Sequence, residues 1–169
     1  FIVFKPHPDV MSGNRKGRVT DAEVRELADA VALNISAISC IEAADEVQTM
    51  TSLTGFDALL RGKHVVTYGE PFYAGWGLTD DRVPDAISFH RRQRELSLDE
   101  LVAGALLRYP FYWDPDLKGY TSCLAVLHRI KAQRNRMEST GELGKLSVGY
   151  VGRQLRKLSI LLNATLTKV

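Results

Sequence analysis

Hydroxyls and a glycine crowd residues 49–62, Thr-Met-Thr-Ser-Leu-Thr-Gly-Phe-Asp-Ala-Leu-Leu-Arg-Gly. The stretch reads as the end of a buried strand, a turn, and the first turns of a helix. A helix start leaves backbone N–H groups free and carries the positive end of the dipole, so it attracts an anion. Thr51, Ser52 and Thr54 add three hydroxyls, and Gly55 allows close backbone approach. The same residue types also serve as plain helix caps.

Two more stretches have this form. Phe1-Ile2-Val3-Phe4 is an apolar strand that runs into Lys5-Pro6-His7-Pro8-Asp9 and a basic loop carrying Arg15 and Lys16. His64-Val65-Val66-Thr67-Tyr68 is another, emptying into Gly69-Glu70-Pro71-Phe72-Tyr73-Ala74-Gly75-Trp76-Gly77-Leu78-Thr79. In an open parallel sheet such strand ends share one edge, where ligands bind. His7, between two prolines, sits on stiff, extended backbone suited to aiming a ring, though such histidines also occur in ordinary loops.

Together Lys5-Pro6-His7-Pro8-Asp9, Gly13-Asn14-Arg15-Lys16-Gly17, Thr49-Met50-Thr51-Ser52-Leu53-Thr54-Gly55-Phe56 and the run from Gly69 to Gly77 resemble the bacterial capsule polysaccharide biosynthesis proteins that transfer Kdo, a deoxy-octulosonic acid. The resemblance covers residues 1–115. Glu70-Pro71 stands where the family pattern often has Gln-Pro, so no role for a Gln side chain carries over.

The resemblance implies a glycosyltransferase built of two Rossmann-like halves facing a cleft, with retention at the anomeric centre. The donor is CMP-Kdo and the acceptor a glycolipid capsule linker at the inner face of the membrane. It makes the present chain the donor half, with acceptor surface and catalytic acid residue in the other half, so that it binds nucleotide without turnover. On this reading His7 stabilises the leaving phosphate, where charge develops as the glycosidic bond breaks. Lys5, Pro8, Arg15, Lys16, Thr51, Ser52, Thr54, Gly55, Asp57, Glu70 and Pro71 line the donor. The Kdo carboxylate calls for a cation from among Lys5, Arg15 and Lys16. Asp57 either meets the ribose hydroxyls or is a first-turn Asp favoured by the helix dipole. No convincing base for the acceptor hydroxyl is found, and no cofactor is implied.

Asp114-Pro115-Asp116 has the Asp-x-Asp spacing of metal-dependent glycosyltransferases, but its central proline and its place well after the sheet argue against that use. No metal is expected. Cys40 and Cys123 are far apart and suggest a reducing compartment, with neither a disulfide framework nor a zinc site. With 45% hydrophobic and 25% charged residues, the 169-residue chain has the make-up of an ordinary globular protein. A formal charge of +2 does not argue for nucleic acid, and no apolar run reaches membrane-spanning length. A chain that opens inside a strand reads as a piece of a longer, cytoplasmic protein.

The elements that must position these residues follow from capping and periodicity. Thr20-Asp21-Ala22-Glu23 is a capping box for a helix with Val24, Leu27, Ala28 and Val31 on one stripe. A β-like piece at 33–36 and a helical turn at 38–44 lead into a strand at 46–50. Residues 87–90 suggest a last edge strand, and Arg91-Arg92-Gln93-Arg94 a solvated turn. Ser97-Leu98-Asp99-Glu100 caps another helix, ending near Tyr109-Pro110; the aromatic segment after it is expected to pack on the body. A helix from Ser122 breaks at 139–144. A final basic amphipathic helix from about Ser147 either packs on protein or lies on a membrane surface.

The expected fold is α/β, a Rossmann-like parallel sheet with helices on both faces followed by C-terminal helices, with residues 1–120 as donor domain and 121–169 as helices. Two other readings stay open: a non-catalytic module for a nucleotide or anionic sugar, and an epimerase-like nucleotide-sugar enzyme.

Overall fold

In the computed structural model the residues described are 1–7, 10, 19–83 and 85–142. The chain divides into two compact units, Phe1–Ala105 and Leu106–Val169.

The first unit is built on β4 (His64–Thr67), whose Val65, Val66 and Thr67 are all buried. β-branched residues suit an extended strand, and a strand buried along its length reads as this unbroken run. β3 (Glu46–Thr49) lies parallel on one side in the register Val47↔Val65 and Thr49↔Thr67. β5 (Asp80–Asp81) lies parallel on the other side, giving the order β3-β4-β5. β1 (Val3–Phe4) and β2 (Ala30–Val31) form a separate two-stranded parallel sheet. Helices separate the first four strands, α1 (Asp21–Leu27), α2 (Ala37–Ala43) and α3 (Leu53–Leu59), and the loop 68–79 joins β4 to β5. Parallel strands need such crossovers, so the expected α/β class is the one observed. The core gathers Ile41, Phe56, Leu59, Val65, Tyr73 and Leu101.

Both capping boxes form. Thr20 and Glu23 bond reciprocally at α1, and Ser97 and Glu100 do so at α4 (Leu98–Val102). α4 passes into a π-turn over Ala103–Arg108, just before Pro110, which has no N–H to continue a helix.

Three local expectations are corrected. α1 ends at Leu27, so Val31 belongs to β2 and not to the helical stripe. The Ala30 N–H bonds Ile2 O and the Ala32 N–H bonds Phe4 O, so pairing with β1 overrides the helical period. The strand thus comes before 33–36, and Ser36 instead caps α2. The last strand of the three-stranded sheet is the polar pair Asp80–Asp81, whereas Phe89–Arg91 is a single 3-10 turn.

In the second unit, β6 (Tyr112–Asp114) and β7 (Gly119–Thr121) form an antiparallel hairpin, followed by α5 (Cys123–Ser139), capped by Ser122 and stopped at Gly141, whose φ is +68°. In the aromatic segment Tyr109, Phe111 and Trp113 are exposed and Tyr112 is half-buried, its hydroxyl donating to the Leu106 carbonyl at 2.7 Å; Tyr120 on β7 is exposed as well. Alternation along the hairpin puts Trp113 directly across from Tyr120, edge to face at 5.6 Å. The expected helix from Ser147 lies outside the described residues.

Candidate functional site

Parallel pairing brings Thr49, Thr67 and Asp81, the last residues of β3, β4 and β5, to one edge, and the loops that leave them fold onto each other. After β3, Ser52 caps α3. Its Oγ accepts from the Thr54 N–H (3.2 Å) and donates to Thr54 Oγ1 (2.9 Å), and its own N–H donates to Thr49 Oγ1 (3.3 Å). Thr51 is exposed; Ser52, Thr54 and Asp57 are half-buried. The Asp57 carbonyl accepts from the Arg61 guanidinium at 2.8 Å.

The loop after β4 packs against this turn. A Cβ on Gly69 would stand 2.8 Å from Thr51 Cγ2 and 3.0 Å from the Met50 carbonyl, so glycine is what lets the two loops touch. The fully buried Tyr73 donates a short hydrogen bond from its hydroxyl to the Ser52 carbonyl. Its ring also takes the room that Gly55 leaves: a Cβ there would lie 2.7 Å from Tyr73 Cζ. The close approach that Gly55 permits is thus to a side chain of the same chain. Burial pushes the Tyr73 phenol up to about 12.

Asp81 ties the loop to the sheet. Its Oδ1 accepts from the Thr67 and Thr79 hydroxyls, both at 2.7 Å, and its Oδ2 from the Gly75 N–H at 2.7 Å. Gly75 has φ +74°, a conformation that favours glycine. Arg92 ties the loop from the other side. Its Nη1 donates to the Pro71 carbonyl (2.8 Å) and the Ala74 carbonyl (2.6 Å), and its guanidinium carbon lies 5.6 Å from both the Trp76 and Phe89 ring centres. The reading of 91–94 as a solvated turn therefore fails at Arg92. Glu70 is exposed and accepts from the Ser88 N–H at 3.0 Å; bonding by Ser88, with a smaller pull from Arg92, holds its carboxyl below the usual range. Pro71 is buried.

The structure thus gathers Thr51, Ser52, Thr54, Gly55, Glu70 and Pro71 at one edge. His7 stands exposed past the end of β1, its carbonyl accepting from the Val10 N–H at 3.0 Å. Lys5 Nζ donates to the Ala32 carbonyl (3.0 Å) and the Leu33 carbonyl (3.4 Å), at the end of β2. Pro8, Arg15 and Lys16 lie outside the described residues. Asp114 and Asp116 are both held by Arg129, at 2.7 Å each, so the Asp-x-Asp pair forms a forked ion pair onto α5. Among the described residues no helix is long and apolar enough to cross a membrane.

Sequence reasoning missed Tyr73, Asp81 and Arg92. The signal for Tyr73 was the density of glycines and aromatics in its own run. Arg92 was hidden among three other long polar side chains, Arg91, Gln93 and Arg94.

Parallel strands separated by helices define an α/β protein, and in open parallel sheets ligands bind at the carboxyl ends of the strands, where the hydroxyl turn and the glycine-rich loop lie here. The chain belongs to the capsule polysaccharide biosynthesis protein family, which matches residues 1–112. It is 42% identical over 161 residues to the capsule polysaccharide modification protein LipA of Neisseria meningitidis serogroup B, across 95% of this chain and 22% of that protein. It is 44% identical over 111 residues to the lipopolysaccharide-processing protein LpsZ of Rhizobium meliloti, across 66% of this chain and 24% of that one. Among solved structures it is similar to Thermosulfurimonas dismutans KpsC, a beta Kdo 2,7 transferase, with TM-score 0.68 and 41% identity over 79% of this chain and 41% of that one. A beta Kdo 2,4 transferase structure of KpsC from the same organism gives TM-score 0.61 and 30% identity, over 75% and 38% of the two chains. The chain therefore spans less than a quarter of the length of these curated relatives.

Proposed function

We propose that this chain is the donor-binding part of a glycosyltransferase that moves Kdo from CMP-Kdo to a glycolipid acceptor of capsule synthesis. The observation that carries the reading is the likeness in both sequence and fold to a beta Kdo 2,7 transferase, which extends over 79% of the chain. In the proposed reaction the bond from the anomeric carbon to the CMP phosphate oxygen breaks and CMP leaves with the electron pair. The acceptor oxygen bonds the sugar, and its proton passes to a base beyond these residues.

The developing phosphate charge is met by the hydroxyls of Thr51, Ser52 and Thr54 and by His7, since groups already in place where charge appears lower the barrier most. Lys5 commits donors to the Ala32 and Leu33 carbonyls, so Arg15 or Lys16 suits the Kdo carboxylate better. Asp57 is assigned to the ribose, and Pro8, Glu70 and Pro71 to the walls of the donor site. A monophosphate offers a divalent ion little to chelate, so the reaction is written without metal. The proposed setting is the cytoplasmic face of the inner membrane, with the protein peripheral to it.

Titration of CMP and UMP into the chain tests the reading. Saturable binding of CMP well ahead of UMP is expected. Equal binding of both, or of neither, contradicts a CMP-sugar donor, and turnover of a UDP-sugar without acceptor favours the epimerase-like reading.

A further inference from the structure

We propose that Arg92 is a positioning residue for the donor site, acting through the loop after β4 on the hydroxyl turn after β3; this rests on the donor reading above. The chain of contacts is continuous. Arg92 joins the Pro71 and Ala74 carbonyls, the ends of a turn already closed by the Ala74 N–H on Pro71 O at 3.1 Å. Phe72 and Tyr73 are the two residues inside that turn. Tyr73 carries the arrangement to the Ser52 carbonyl and fills the space at Gly55, and Phe72 packs on Phe56 of α3 with ring centres 5.0 Å apart.

The guanidinium suits this task because it is flat. Two carbonyls need donors aimed along the plane, while Trp76 and Phe89 each lie 5.6 Å from its central carbon. Trp76 is fixed in turn by its indole N–H on the Phe72 carbonyl (2.8 Å) and by its own carbonyl, which accepts from the Leu96 N–H (2.9 Å). A lysine ammonium is a point charge on a flexible stem and does not reproduce a fork held against two rings. Arg92 touches no residue assigned to the phosphate; it reaches the hydroxyl turn through Tyr73 and the proposed wall of the donor site through the Pro71 carbonyl.

The test compares Arg92→Ala and Arg92→Lys with the wild-type chain, using CMP as the probe. A Trp113→Phe background leaves Trp76 as the only tryptophan. Both variants are expected to bind CMP about tenfold to a hundredfold more weakly, the range that misplacing a positioned site costs. Trp76 emission is expected to move to the red, and millimolar guanidinium ion, but not ammonium, to restore CMP binding to Arg92→Ala. If Arg92→Ala does not fold, Arg92→Lys carries the comparison of CMP affinity and Trp76 emission. Folded variants that bind CMP within twofold of the wild type overturn the positioning role and leave the donor reading intact. Equal restoration by ammonium also overturns it, since charge alone would then suffice. A wild-type chain that binds no CMP overturns the donor reading and this role with it.

Discussion

The ring of Tyr73 lies where Gly55 lacks a side chain, and its hydroxyl bonds the carbonyl of Ser52 three residues earlier. One residue from the loop after β4 thus sets the position of the turn after β3. Gly55→Ala is expected to overpack this contact and destabilise the chain by about 1–3 kcal/mol, read from urea unfolding. Tyr73→Phe, which leaves the Ser52 carbonyl only the Gly55 N–H at 3.2 Å, is expected to cost about 0.5–1.5 kcal/mol. The double variant is expected to be less destabilised than the sum, because the hydroxyl is the atom nearest the added methyl. Strict additivity would mean that the two residues do not share the space.

The same phenol gives stability a pH dependence with a definite sign. Its folded pKa, about 12, lies above the ordinary value of 10.0, so the folded chain holds the proton that the unfolded chain releases. The neutral phenol's contribution is fully present below pH 10 and is lost as pH rises from about 10 towards 12. The difference in unfolding free energy between wild type and Tyr73→Phe is expected to shrink across that window and to stay flat below it. Sequential chemical denaturation at fixed pH values measures this directly.

Asp81 is half-buried and accepts three hydrogen bonds, one from a backbone N–H. Asp81→Asn keeps one accepting oxygen and turns the other into a donor facing a donor. A loss of about 1.5–3 kcal/mol is expected, the usual worth of a hydrogen bond to a charged group. Faster amide exchange at Gly75 should accompany it, since that N–H loses its carboxylate. Unchanged exchange there would contradict the role assigned to Asp81.

For the donor site itself, Ser52→Ala removes both the cap of α3 and a hydroxyl proposed to face the phosphate, whereas His7→Ala removes a proposed ligand contact that is no part of that cap. His7→Ala is expected to weaken CMP binding by roughly 1.5–3 kcal/mol. Ser52→Ala is expected to lower both CMP affinity and the melting temperature, since it also removes the cap of α3. Calorimetric titration with parallel thermal melts separates the two.

The fold was legible where local chemistry agrees with tertiary structure. Both capping boxes, β3, β4 and the end of the helix before Pro110 follow from caps, β-branched runs and proline. It was not legible where pairing overrides period: Val31 continues the stripe of α1 in sequence but is drawn into β2 by β1. β5 is two aspartates, which no pattern marks as strand; it pairs with β4 along the backbone, and Asp81 is also tied to the Thr67 hydroxyl there. At the site, the residue types of the hydroxyl turn were readable, but the function of Gly55 was not. Nothing in the sequence says that the space beside it is filled by a tyrosine 18 residues later.

A crystal structure of the chain with CMP tests the central claim most directly. The account predicts the phosphate on the turn from Thr51 to Asp57, with the hydroxyls of Ser52 and Thr54 and the imidazole of His7 each within hydrogen-bonding distance of its oxygens. A nucleotide bound away from that turn, or a His7 ring turned from the phosphate, would contradict it.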